Sequence, residues 1–293
     1  MRKLTLLLLA LALCLPALYG QAAREPRLVL LTLTTGQSAQ AGEGKGNWVS
    51  LHPDIATVSA DGLVTALKDG YTLVLLTNNK KETLIRCEVK VGDTPVPEAI
   101  ERVIALALAD WEQAGGKALP KYNLYTQWYN PAAKNGFGWC GAFVGLQFEE
   151  AGVEMNKEYR AKNAPPLPDG SLFAVRQASQ TKLFEGFQSR NRLSAIPRPG
   201  YYIIYGRRGS TPYTHIGLIT AVEDLGNGVY RLETVEGNLG SRIKRFNYLY
   251  DSLAERRERN IASLPESQWD RPDLFNYVYV KDFYINSFGQ TWY

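Results

Sequence analysis

The chain has 293 residues, 45% apolar and 21% charged, with 33 Lys and Arg against 29 Asp and Glu. This mix excludes a disordered, collagen-like or coiled-coil protein, and the length suits about two domains. With 2 His and 3 Cys, the chain also has few residues able to carry nucleophilic or metal chemistry.

The first 22 residues read as a secretory signal peptide. Arg2 and Lys3 precede the apolar run Leu4 to Leu18, and the segment closes on Gly20-Gln21-Ala22, a small-x-small end. Cleavage after Ala22 removes Arg2 and Lys3 and leaves 31 cations against 29 acids, a net charge of +2. So weak a balance gives no footing to a nucleic-acid partner. No later stretch is long and apolar enough to suggest a membrane span. Cys14 admits a second reading, the lipid-carrying cysteine of a lipoprotein, although Leu13 stands where a small residue is wanted. The expected location is outside the cytoplasm: periplasmic, cell-surface or secreted. A disulfide would be permitted there.

Residues 27–92 are short apolar runs between turn signals. Leu28–Leu33, Asp54–Ser59, Leu63–Leu67, Thr72–Leu76 and Leu84–Val91 read as strands, punctuated by Asp61-Gly62, Asp69-Gly70 and Asn78-Asn79. Strands at this spacing with no helix between them predict an all-β sandwich. In the last run Ile85, Cys87, Val89 and Val91 share the core face, with Arg86, Glu88 and Lys90 on the other. Cys87 is thus a core residue. The run Leu51-His-Pro-Asp-Ile-Ala-Thr-Val-Ser-Ala-Asp-Gly-Leu-Val-Thr-Ala-Leu67, followed by Gly70, resembles the bacterial immunoglobulin-like domain of group 2. That resemblance implies a spacer or adhesive role, and His52 beside Pro53 is expected to be a loop residue.

Residues 93–120 read as a Pro-bearing linker, Gly92 to Pro97, and a lead-in helix. In Glu98–Trp111 the residues Ile100, Val103, Ile104, Ala107, Leu108 and Trp111 share one face, with Pro97 before it and Gly115-Gly116 beyond. Residues 121–286 form the second domain. Trp139 to Gly152 carries apolar residues at helical spacing, which puts Cys140 at a helix N-terminus. Asn156 to Asn191 reads as an insertion with a helix around Leu172–Phe184. Strands follow at Tyr201–Tyr205, His215–Val222, Gly228–Glu236, Ile243–Tyr250 and Phe275–Tyr284. Helices before strands predict an α+β domain with an antiparallel sheet.

Cys140 and His215 are the one cysteine and the one histidine of this second domain, so Cys/His chemistry there has a single possible pair. A thiol attacks only as thiolate, which a helix N-terminus favours, and an imidazole relays the proton. Such a base needs a third group to orient it. Glu236 and Asn238, two apart at a strand end, are expected on one face, and either serves. A buried inert thiol is the alternative for Cys140, and a Cys87–Cys140 disulfide would have to join two separate domains. Trp139, Trp128 and Tyr213 are candidate walls for a sugar or peptide. No His, Cys and carboxylate cluster has metal-ligand spacing, and no phosphate-cradling glycine loop occurs, so neither metal nor cofactor is expected.

Gly138-Trp-Cys-Gly-Ala-Phe-Val144, Ile196-Pro-Arg-Pro-Gly200, Thr214-His-Ile-Gly-Leu-Ile219 and Val235-Glu-Gly-Asn238, in that order, resemble the CHAP family of cysteine, histidine-dependent amidohydrolases and peptidases. The resemblance implies a papain-like fold, with Cys140 as nucleophile, His215 as general base, and Glu236 and Asn238 as orienting partners. It further implies a monomeric enzyme that cleaves an amide bond of peptidoglycan or a muropeptide through a thioester. Tyr201 departs from the family, which commonly has an acidic residue there, and the 156–191 insertion is long for it. Competing readings are a non-catalytic glycan-binding adhesive protein and a host-directed cysteine peptidase.

Overall fold

The computed structural model describes residues 26–156, 167, 170–207, 213–253 and 283–292. The proposed signal peptide and Cys14, part of the 156–191 insertion and most of the expected strand Phe275–Tyr284 lie outside them.

The N-terminal module is a two-sheet β-sandwich. Its strands are β1 (Arg27–Leu33), β2 (Ser38–Gln40), β3 (Asn47–Ser50), β4 (Ala56–Val58), β5 (Leu63–Ala66), β6 (Gly70–Thr77) and β7 (Thr83–Val91). One sheet has the order β1-β7-β6-β3, with β1 parallel to β7, and the other the order β2-β5-β4. The sequence pattern does not reveal β2 and β3, because each spans only three or four residues and neither carries a run of buried apolar residues. Between the sheets lie Trp48, Ile55, Val64, Val74, Ile85, Cys87, Val89 and Val91. Alternation along β7 thus places Cys87 in the core, as expected. His52 lies in the loop between β3 and β4, its N–H donating to the Thr72 hydroxyl at 2.9 Å.

The opposite face of β7 departs from expectation, because Glu88 is wholly buried. That face packs on the second domain: Glu88 accepts from Ser194 Oγ (2.5 Å), Ala195 N–H (2.8 Å), Ile196 N–H (3.3 Å) and the Tyr71 hydroxyl (2.8 Å). Tyr71 and Leu73 of β6 join the apolar core of the second domain. The two modules are therefore docked through a buried carboxylate and an apolar rim, not strung on a tether.

The second domain opens with α1 (Glu98–Ala114), which begins after Pro97 and ends on Gly115 in the left-handed conformation (φ 52°). Its buried Ile100, Val103 and Ala107 join the domain core, so this lead-in helix is an integral part of it. Then come α2 (Leu124–Tyr129), capped by Asn123, and α3 (Cys140–Glu150), buried at every position from Cys140 to Phe148. β8 (Met155–Asn156) and β9 (Ala174–Val175) form a short parallel pair. This pair corrects the helix expected over Leu172–Phe184: residues 174–175 are drawn into a strand, and α4 (Gln180–Ser189) starts only after Ser179.

β10 (Leu193–Ser194), β11 (Tyr202–Arg207), β12 (His215–Gly226), β13 (Val229–Glu236), β14 (Lys244–Asp251) and β15 (Phe283–Gly289) complete the domain. They make an antiparallel sheet in the order β10-β15-β11-β12-β13-β14, against which α3 packs at β12 and β13. The α+β architecture is as expected, and the domain continues past residue 286 to the buried Trp292. Tyr201 is buried and donates to the Trp292 carbonyl at 2.8 Å, which gives this residue a structural role. No helix among the described residues is long and apolar enough to cross a membrane.

Candidate active site

Cys140 is the first residue of α3, and no side chain caps that helix start, so the partial positive charge of the first turn falls on the thiol. His215 is the first residue of β12, and Glu236 the last of β13, the neighbouring strand. The packing of α3 across these strands brings a helix start and two strand ends together. The His215 ring reaches Glu236 Oε2 through Nε2 at 2.9 Å and also hydrogen-bonds the thiol of Cys140. With Nε2 committed to Glu236, the contact to sulfur falls to Nδ1.

Glu236 is wholly buried, and its second oxygen is fully occupied. Oε1 accepts from the Tyr205 hydroxyl (2.5 Å), Thr234 Oγ1 (2.7 Å) and the Tyr248 hydroxyl (3.0 Å). A carboxylate held by four hydrogen bonds stays in one orientation and fixes the ring that leans on it. Tyr205 and Tyr248 went unnoticed in the sequence; only their place in strands next to those of His215 and Glu236 marks them.

Electrostatics favour a charged pair. Burial opposes the thiolate, but the hydrogen bond and charge of His215, the Gln180 amide and the Ile216 N–H outweigh it, and Cys140 lies below its ordinary value. Burial likewise opposes the charged ring of His215, yet hydrogen bonds and negative charge from Cys140 and Glu236 raise it to about 10. Cys87 is the contrast: burial, with the charge of Glu88 beside it, pushes that thiol up to about 12. Both cysteines are free, so the disulfide alternative does not arise.

Glycines in the motifs have steric reasons. A Cβ on Gly217 would stand 2.6 Å from Glu236 Cγ, and one on Gly237 would stand 2.6 Å from Phe143 Cβ and 2.7 Å from the Trp139 ring. The strands can carry Glu236 to the histidine and close onto α3 only where these side chains are missing.

The remaining candidates separate. Asn238 lies beyond the end of β13 with φ 65°, so strand alternation does not align it with Glu236. It is a turn residue whose amide nitrogen comes within 3.6 Å of a Cβ position on Gly138, while the histidine is oriented by Glu236. Trp139 is 1% exposed and stacked on Tyr125 at 5.0 Å, which makes it part of the core and not a substrate wall. Trp128 packs over Gly145, donates to Glu149 Oε2 at 2.6 Å and lies under the Arg176 guanidinium. Its ring is thus engaged further along α3. Tyr213, two residues before the histidine, is half-buried and stacked on Phe184 of α4 at 4.2 Å. Gln180, missed in the sequence, donates from Nε2 to Cys140 Sγ at 3.0 Å. Among the described residues no group of three or more His, Cys, Asp or Glu side chains converges as a metal site would need.

In comparison with known protein families, residues 31–89 match the bacterial Ig-like domain (group 2). The match ends before the domain that carries Cys140. No curated protein matches the chain.

Proposed function

We propose that the second domain is a cysteine-dependent amidase or peptidase of the CHAP type, and that the protein is an exported hydrolase acting on peptidoglycan. The observation that carries the chemistry is the hydrogen-bonded array Cys140–His215–Glu236, with a lowered thiol, a raised imidazole and a fully held carboxylate. The substrate class rests on the four motifs that resemble the CHAP family, and export on the N-terminal sequence pattern.

In the proposed reaction the Cys140 thiolate attacks an amide carbonyl, forming the S–C bond and a tetrahedral oxyanion. Collapse breaks the C–N bond as the imidazolium of His215 hands its proton to the leaving amine. Water, deprotonated by the now neutral ring, then attacks the thioester, releases the carboxylic acid and restores the thiolate and imidazolium. Glu236 holds the ring by Nε2 throughout and stabilises its charged form. The bond is either the link between muramic acid and the stem peptide or one within the stem or bridge.

The test is release of soluble fragments from purified cell walls. Wild-type protein is expected to release them, and Cys140→Ala to release none while keeping the wild-type circular dichroism spectrum and melting point. Equal release by the variant would refute the proposal. The Ig-like match favours the second reading, an adhesive protein that only holds glycan, and this reading requires wall binding with no fragments from either protein.

A further inference from the structure

The segment between β8 and β10 lies between the nucleophile helix and the sheet in the chain, and it brings α4 to the thiol. We propose that Gln180, at the start of α4, is a catalytic residue that donates a hydrogen bond to the oxyanion formed when Cys140 attacks a carbonyl. This rests on the reading of Cys140 as an acyl-transfer nucleophile and adds to it the side-chain donor of the oxyanion hole.

Three observations carry the proposal. Gln180 Nε2 already lies 3.0 Å from Sγ, and Gln180 is only half-buried whereas Cys140 is 1% exposed, so its amide is the partly accessible group beside the sulfur. The approach is built in: a Cβ on Gly141 would stand 2.7 Å from the Ala178 carbonyl oxygen and 2.7 Å from Leu183 Cδ1, so the glycine after the nucleophile is what lets residues 178–183 close on it. Finally, α4 and α3 both begin without a side-chain cap, at Gln180 and Cys140 respectively, so no neighbouring side chain claims either helix start.

The chemistry follows the movement of charge. In the resting pair the negative charge is on sulfur, and the Gln180 amide donates to it. As the S–C bond forms, that charge passes to the carbonyl oxygen, two bonds from the sulfur. A donor beside the sulfur reaches the oxygen by rotation of its own side chain, without any backbone displacement, and strengthens its bond as the oxyanion develops.

Two reagents that use the same thiol separate this role from stabilisation of the thiolate alone. p-Nitrophenyl acetate acylates sulfur through a tetrahedral oxyanion: the S–C bond forms, the ester C–O bond breaks, and p-nitrophenolate leaves. Iodoacetamide alkylates sulfur by direct displacement of iodide, with no oxyanion. With the full chain, and Cys140 modification followed by mass spectrometry, Gln180→Met keeps the length and removes the donor. Acylation is expected to slow by about 10²-fold, with alkylation changed only a few-fold. Gln180→Ala is expected to give the same split, and serves if the Met variant does not fold. Equal slowing of both reactions, or normal acylation, would overturn the proposal, as would a wild-type protein that alkylates but does not acylate. Acylation that depends on Gln180 in a protein inert on cell walls would instead refute the wall substrate and leave Gln180 in its role.

Discussion

Glu236 and Cys140 show how burial is overcome at single residues. Each is almost wholly removed from water, and each is held by specific partners: three hydroxyls and an imidazole for the carboxylate, and for the thiol, whose pKa they lower, an imidazole, an amide and a backbone N–H. The two pKa shifts define a pH dependence with a clear sign. Turnover needs thiolate and imidazolium together. It rises with pH through the lowered thiol value and falls again as His215 loses its proton near 10. Alkylation by iodoacetamide needs only the thiolate, so its rate stays high where turnover falls. Parallel profiles of the two, measured from acid to alkaline pH, should therefore coincide on the acid limb and separate on the alkaline one. An alkylation limb at the ordinary thiol value of about 8.5 would mean that no such pair exists. Cys140, His215 and Glu236 were legible in the sequence because scarcity left one possible Cys/His pair and strand ends suggested the third member. The expectation that Asn238 shares a face with Glu236 rests on strand alternation, which ends at Glu236, before the left-handed backbone of Asn238.

The elements that deliver these residues are α3, β12 and β13, and their fit depends on missing side chains. Gly217 on β12 faces the Glu236 side chain, so Gly217→Ala sets a methyl group against Cγ in a filled site. The expected result is a loss of about 1–3 kcal/mol in stability, read by urea unfolding, and a larger proportional fall in turnover because the carboxylate is displaced. Unchanged turnover would show that the carboxylate position is not critical. At this scale the sequence was informative where periodicity, Pro97 and Gly115 agreed, as in α1, and along β7, where strict alternation assigned the core face correctly. It misplaced α4 because the pairing of β9 with β8 overrides the local pattern of residues 172–178. Gln180 is not legible for a tertiary reason of its own: a glutamine 40 residues after the nucleophile meets it where Gly141 admits α4.

For the whole molecule, the docking of the Ig-like module on the second domain is the main departure from a beads-on-a-string arrangement. Glu88 binds the Ser194–Ile196 segment, which leads into β11, and β11 carries the Tyr205 that holds Glu236. Glu88→Ala would remove the acceptor of the buried Ala195 N–H, the carboxylate that the Tyr71 hydroxyl and Ser194 Oγ reach, and the ion-pair partner of Arg86. We expect it to destabilise the chain by roughly 3 kcal/mol and to split a single unfolding transition into two; identical unfolding curves would show that the modules are independent. The buried face of β7 was not legible, since nothing in a Lys, Arg and Glu face announces a partner supplied from more than 100 residues away. The account as a whole is tested most directly by mass spectrometry of the products that wild-type and Cys140→Ala proteins release from purified cell walls. It predicts muropeptides with a new amine and a new carboxyl at one defined amide bond, from wild type alone. Intact stems, cleavage confined to glycosidic bonds, or the same products from Cys140→Ala would contradict it.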